Sequence, residues 1–145
     1  MLTMTTKRDA FAALLYRCAV VWRGRVDEQL RPHGMTYSTW RILKLLLADE
    51  QRYNQSCLAA GIGVETPTLV RLLDRLEKLG LVRRLPDVSD RRQKHVEITA
   101  DGRALMEQID AEVMDVRRHM LSGLSDAELQ AGIEVLDRIL HNADT

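Results

Sequence analysis

The sequence predicts a mainly α-helical fold in which a small lobe, two short helices followed by a β-hairpin, sits between long flanking helices. Three observations predict it. Leu69, Leu72, Leu73, Leu76 and Leu79 recur at three- and four-residue spacing before Gly80, giving one apolar stripe and a C-terminal stop. Residues 81–86 and 93–99 carry alternating apolar positions, Val82 and then Val96 with Ile98, around a polar tip. Apolar residues at helical spacing also fill the chain before residue 31 and after residue 99.

Taken in order, residues 6–31 place Phe11, Leu14, Leu15, Cys18, Val21, Trp22, Val26 and Leu30 at helical spacing, and Pro32 with Gly34 ends that helix. A second helix starts at Thr36 as N-cap, with Met35 and Trp40 at the two positions of a hydrophobic staple. It runs through Ile42, Leu43, Leu45 and Leu46 to the polar break Asp49-Glu50-Gln51, and is expected beneath the lobe. Next, Ala59 permits close helix approach, Gly63 supplies a turn and Leu69 lies inside the following helix, the spacing of a helix-turn-helix. Thr66-Pro67 provides a cap and a first-turn proline. After the hairpin, Thr99 caps a long helix whose first turn holds Asp101, with Met106, Ile109, Val113, Val116 and Met120 as its stripe. Ser122-Gly123 interrupts it, and Ser125 opens a last helix with Leu129, Ile133, Leu136, Ile139 and Leu140 inward.

A helix-turn-helix with a following hairpin, or wing, points to double-stranded DNA. Opposite the leucine stripe lie Pro67, Thr68, Arg71, Arg75 and Lys78. Arg71 suits a base contact, because a guanidinium grips guanine N7 and O6 with two donors; Arg75 and Lys78 suit phosphate. At the hairpin tip, Arg92 suits the narrow minor groove, with Asp90 steadying its guanidinium and Arg91 on the backbone; Ser89 and Lys94 complete the set. The plainer reading of both features is a solvated helix face and a surface hairpin with a rim ion pair.

Charge distribution supports the first reading. The chain is formally neutral, yet residues 65–96 hold eight basic side chains against five acids, and residues 97–145 hold four arginines against eleven acids. That asymmetry separates a DNA-facing lobe from an acidic assembly region.

The run from Gly63 through Pro67-Thr-Leu-Val-Arg71 to Val82, then Ser89-Asp-Arg-Arg-Gln-Lys94 and Glu97-Ile-Thr99, resembles the MarR family of bacterial transcription regulators, and most of all its SlyA branch. The likeness extends to residues 15–22, 36–40 and 121–126. It implies an obligate homodimer on a pseudo-palindromic operator, repressing or activating transcription. It also implies frequent control by small aromatic acids lodged between the dimer helices and the DNA-binding lobe. On that pattern residues 1–34 and 100–145 form a helical dimerisation region and residues 35–99 the winged lobe. Arg17, Trp22 and Trp40 would offer such a ligand a cation and aromatic walls; as ordinary structure, the tryptophans are core and Arg17 an inter-helix ion pair. A peroxide-sensing branch uses a cysteine whose position falls on Ala12 here, so that residue is absent.

Cys18 and Cys57 make no metal motif and are expected as small buried residues, with a redox role for Cys18 as the alternative regulator. A protein-interaction module that lost DNA binding is the alternative from another class. Enzyme readings find no support: His33, His95, His119 and His141 are scattered, His33 is expected to cap helix carbonyls, and no phosphate loop or nucleophile constellation is present. No cofactor or metal is expected. No apolar run approaches the roughly twenty residues of a membrane span, and no signal-peptide pattern opens the chain, so the expected location is the cytoplasm.

Overall fold

The computed structural model describes residues 6–48, 53–86 and 94–145. The element order is α1 Lys7–Leu30, a 3₁₀ turn Arg31–His33, α2 Tyr37–Ala48, β1 Tyr53–Asn54, α3 Gln55–Ile62, α4 Thr66–Lys78, β2 Val82–Pro86, β3 Lys94–Ile98, α5 Ala100–Met120 and α6 Asp126–Ala143. The three strands form one antiparallel sheet in the order β1-β3-β2. Val82 pairs with Ile98 and Pro86 with Lys94 in the hairpin, while Tyr53 pairs with Val96 on the opposite edge.

Helix starts are set by local chemistry. Thr6 and Asp9 form a capping box at α1, and Ser125 and Glu128 form another at α6. Asn54 caps α3 by accepting from the Cys57 N–H at 2.8 Å. Thr36 accepts from the Thr39 N–H, and Asp27 of α1 reaches across to take the Tyr37 N–H at 2.7 Å. At α4 the expectation is corrected: the N-cap is Glu65 and not Thr66, its backbone is extended, and no side chain caps the helix. Thr66 is instead the first helical residue, with Pro67 in the first turn where a missing N–H costs nothing. Gly80 closes α4 with a left-handed φ of 76°, and the Leu81 N–H returns to the Leu76 carbonyl.

The core joins Val26 and Leu30 from the end of α1 to Ile42, Leu43 and Leu46 of α2. Leu58 and Ala59 of α3, Leu69, Leu73 and Leu76 of α4, Val82 and Val96 of the hairpin, and Met106, Ile109 and Val113 of α5 complete it. The buried Ala59 fits its expected role at the α3–α4 crossing. Leu79, expected on the inward stripe, is exposed, since α4 ends one residue before it.

Two flanking elements differ from the sequence expectation. The first half of α1 leaves Phe11, Leu14, Leu15 and Val21 exposed, Leu14 at 58%, and α6 leaves Ile133 at 59% and Leu140 at 66%. None of the α6 residues is buried within the subunit. Their helical spacing was legible, but the described residues of the subunit leave them uncovered. Cys18 and Cys57 are exposed rather than buried, which corrects the expectation for both: each sits on a helix face pointing away from the core.

α5 starts tightly against the lobe. Thr99 Oγ1 donates to the Gly80 carbonyl at 2.7 Å and accepts from the Gly102 N–H at 3.1 Å, while the Thr99 N–H bonds the Leu81 carbonyl at 3.0 Å. Gly102 is buried here, and a Cβ at that position would come within 2.7 Å of Ile98 Cγ1 as well as onto the Leu81 carbonyl oxygen.

Candidate nucleic-acid interface

α3 and α4 meet at 104° through Gly63, which takes a left-handed φ of 73°. This is the crossing a helix-turn-helix uses to set its second helix apart from the first. Because Leu69, Leu73 and Leu76 point into the core, the opposite face of α4 is turned outward. It carries Pro67, Arg71, Arg75 and Lys78 exposed, with Thr68 half-buried beside them.

The cations on and around α4 are not equivalent. Arg71 and Lys78 make no ion pair among the described residues. Arg75, expected on phosphate, directs Nε and Nη2 at the Gly34 carbonyl, at 3.2 and 2.9 Å. Arg84 of β2, which the sequence offered only as one more positive charge, lies between two carboxylates of α4, with Nε 2.6 Å from Glu77 and Nη2 2.5 Å from Asp74. Its side chain is only 20% exposed. Burial disfavours the charged guanidinium, but its hydrogen bonds to Glu77 and Asp74 more than offset this, so its pKa stands above the ordinary arginine value. One positive charge from the hairpin thus offsets part of the charge of the two acids on the outward helix. Arg83 on the same strand faces Glu97 across the sheet at 3.7 Å.

Of the wing residues, Lys94 is exposed at the start of β3. Ser89, Asp90, Arg91 and Arg92 lie outside the described residues. His33 does not cap carbonyls, which corrects that expectation: its Nε2 meets Glu112 of α5 at 3.0 Å, a partner 79 residues away that helix-end chemistry alone cannot reveal.

The three residues suggested for an aromatic acid differ in burial. Trp40 is buried at 7%, its ring tilted against Tyr37 at 5.5 Å and covered by the Lys44 ammonium at 5.3 Å. Trp22 is half-buried against the core, and Arg17 is exposed on α1. A cleft of about 430 Å³ opens among α1, the start of α2 and α4, lined by Arg23, Asp27, Arg31, Met35, Thr36, Ser38 and Leu72. A second, of about 320 Å³, lies between α1 and α5 and includes Arg25, Glu28, Asp115 and His119. Among the described residues no group of three or more His, Cys, Asp or Glu side chains is arranged to hold a metal. No single helix among them is long and apolar enough to cross a membrane.

This is a winged helix-turn-helix protein. Residues 35–94 match the model of the MarR family. Among solved structures, the transcriptional regulator PA3341 is 39% identical, with a TM-score of 0.81 over 92% of this chain and 98% of its own. CouR from Rhodococcus jostii RHA1, solved bound to p-coumaroyl-CoA, is 31% identical, with a TM-score of 0.78 over 91% of this chain and 92% of its own. A mutant MarR from E. coli complexed with operator DNA shares the fold at 24% identity, with a TM-score of 0.84 over 96% of this chain and 99% of its own. The chain belongs to the MarR family: it is a transcriptional regulator with a DNA-binding fold, and not an enzyme.

Proposed function

We propose that the chain acts as a homodimer that occupies a pseudo-palindromic operator in the cytoplasm, laying α4 in the major groove of each half-site and the hairpin tip in the flanking minor groove. The observation that carries this is the outward face of α4, where Arg71 and Lys78 are exposed with no ion-pair partner among the described residues, while Arg84 offsets part of the charge of the neighbouring acids Asp74 and Glu77. Arg71 reads base edges, Lys78 and Lys94 hold phosphate, and Pro67 and Thr68 pack against the backbone at the helix start. Residues 67–71 and 89–92 support placement near the SlyA branch, with Arg92 entering the minor groove.

Homodimerisation, through residues 1–34 and 100–145, is supported by the exposed apolar residues of α1 and α6. Two copies of α4 must be held about 34 Å apart to enter successive major grooves. A small aromatic carboxylate shifts that spacing from the cleft bounded by Arg23 and Arg31, which offers cations beside α4.

Selection of bound sites from random duplexes, followed by titration of the selected site, tests the proposal. Enrichment of a two-fold-related sequence is the expected result, and Arg71→Ala should lose roughly 1–3 kcal/mol of specific binding while relaxing one position in each half. Absence of any enriched sequence would favour an interaction module instead. A thiol-sensing role is a second reading, favoured by the exposure of Cys18. Unchanged release of DNA by oxidants in Cys18→Ser would end it.

A further inference from the structure

The 3₁₀ turn Arg31–His33 and its closing residue Gly34 join α1 to the DNA-binding lobe, and three separate attachments meet there. Through Leu30, which is fully buried, the turn is continuous with α1. Through His33 it reaches Glu112 of α5 at 3.0 Å. Through the carbonyl of Gly34 it receives both Arg75 hydrogen bonds, from a residue 41 positions away on α4. Leu79, just past the end of α4, lies beside the same glycine, with its Cδ1 3.9 Å from where a Cβ would stand.

We infer that Arg75 is a positioning residue, which ties the recognition helix to the turn between α1 and α2 and so fixes the angle at which α4 is offered to DNA. The chemistry distinguishes this from a phosphate contact. Two N–H groups of one planar guanidinium converge on a single carbonyl oxygen, a fork that a lysine ammonium cannot reproduce, whereas a phosphate accepts either cation. The inference rests on the DNA-binding reading above, and adds that the long flanking helices and the recognition helix share one mechanical joint.

Arg75→Lys, Arg75→Ala and Lys78→Ala, each compared with the parent on the selected operator over a range of salt, test it. Arg75 is exposed and Arg75→Lys keeps both charge and stem, so the fold persists. Positioning predicts that both Arg75 variants lose affinity alike, by about tenfold. It also predicts an unchanged salt slope and wider tolerance of half-site spacing, whereas Lys78→Ala lowers the slope by roughly one per subunit. An Arg75→Lys that binds like the parent, beside an Arg75→Ala that loses slope, would overturn the inference. Amide exchange in the DNA-free protein judges the tie separately. The N–H groups of Gly34 and Met35, bonded to the Arg31 and Leu30 carbonyls, should exchange faster in Arg75→Lys, and equal rates would refute it. A parent that binds no duplex would sink the function and leave the exchange rates to decide the tie.

Discussion

Gly102→Ala is the sharpest probe of how the lobe is joined to α5. In most helices the change is favourable by about 1 kcal/mol, because alanine loses less backbone entropy. Here the added methyl would meet the Leu81 carbonyl oxygen and stand 2.7 Å from Ile98 Cγ1. The Leu81 carbonyl also accepts from the Thr99 N–H, so it cannot turn aside without losing that bond. Relief therefore requires the start of α5 to back away from the sheet, at an overpacking cost of about 1–3 kcal/mol. That movement also stretches the Thr99 cap, whose loss costs about 1 kcal/mol. Set against the helix gain, the net destabilisation is about 1–3 kcal/mol, or roughly 2–4 °C in melting temperature for each kcal/mol in a chain of this size. Thermal unfolding followed by circular dichroism, at one fixed protein concentration, measures it. A variant that melts at or above the parent temperature would refute the reasoning.

Arg84→Met should cost only about 1 kcal/mol of stability, because both carboxylates are about half exposed and regain water. It should cost roughly tenfold in operator affinity, by leaving two negative charges on the recognition helix; equal affinity would restrict the ion pairs to a role in folding. Leu14→Glu combined with Leu140→Glu should convert the protein to monomers in sedimentation, and a persistent dimer would move the interface elsewhere. At low pH the capping box of α6 should open. The Glu128 carboxyl is held below its ordinary 4.5 by hydrogen bonds from the Ser125 N–H and then its hydroxyl, so its contribution is complete above that value and fades as pH falls through the lowered one. Amide shifts of Ser125 recorded against pH should show this, and should lose the transition in Glu128→Gln.

What the sequence revealed and what it hid divide by range. Thr99 and Ser125 were legible as caps because a cap needs only its own residue and the next three. The leucine stripe of α4, its Gly80 stop and the two hairpin strands were legible because periodicity is local. β1 was not, since Tyr53 and Asn54 are too few to show alternation and are strand only because β3 pairs with them. The exposed apolar residues of α1 and α6 carried a true helical period with no statement of which surface they cover. At the candidate site, residue type placed Arg71 and Lys78 on the outward face of α4. The partners of Arg75 and Arg84 depend on contacts with a backbone turn far off in the sequence and on acids of the adjoining helix, which composition counted but could not pair.

Asn54 belongs to two structures at once: it is the last residue of β1, paired with His95 of β3, and the side chain that caps α3. No linker separates strand from helix. The first helix of the DNA-binding pair therefore cannot swivel without dragging the central strand of the wing, and the hairpin cannot flex where His95 leads from its tip without pulling on that helix. Whatever adjusts the fit of the lobe to DNA has to steer these parts as a single block, leaving the freedom of movement to the ends where that block meets the long flanking helices.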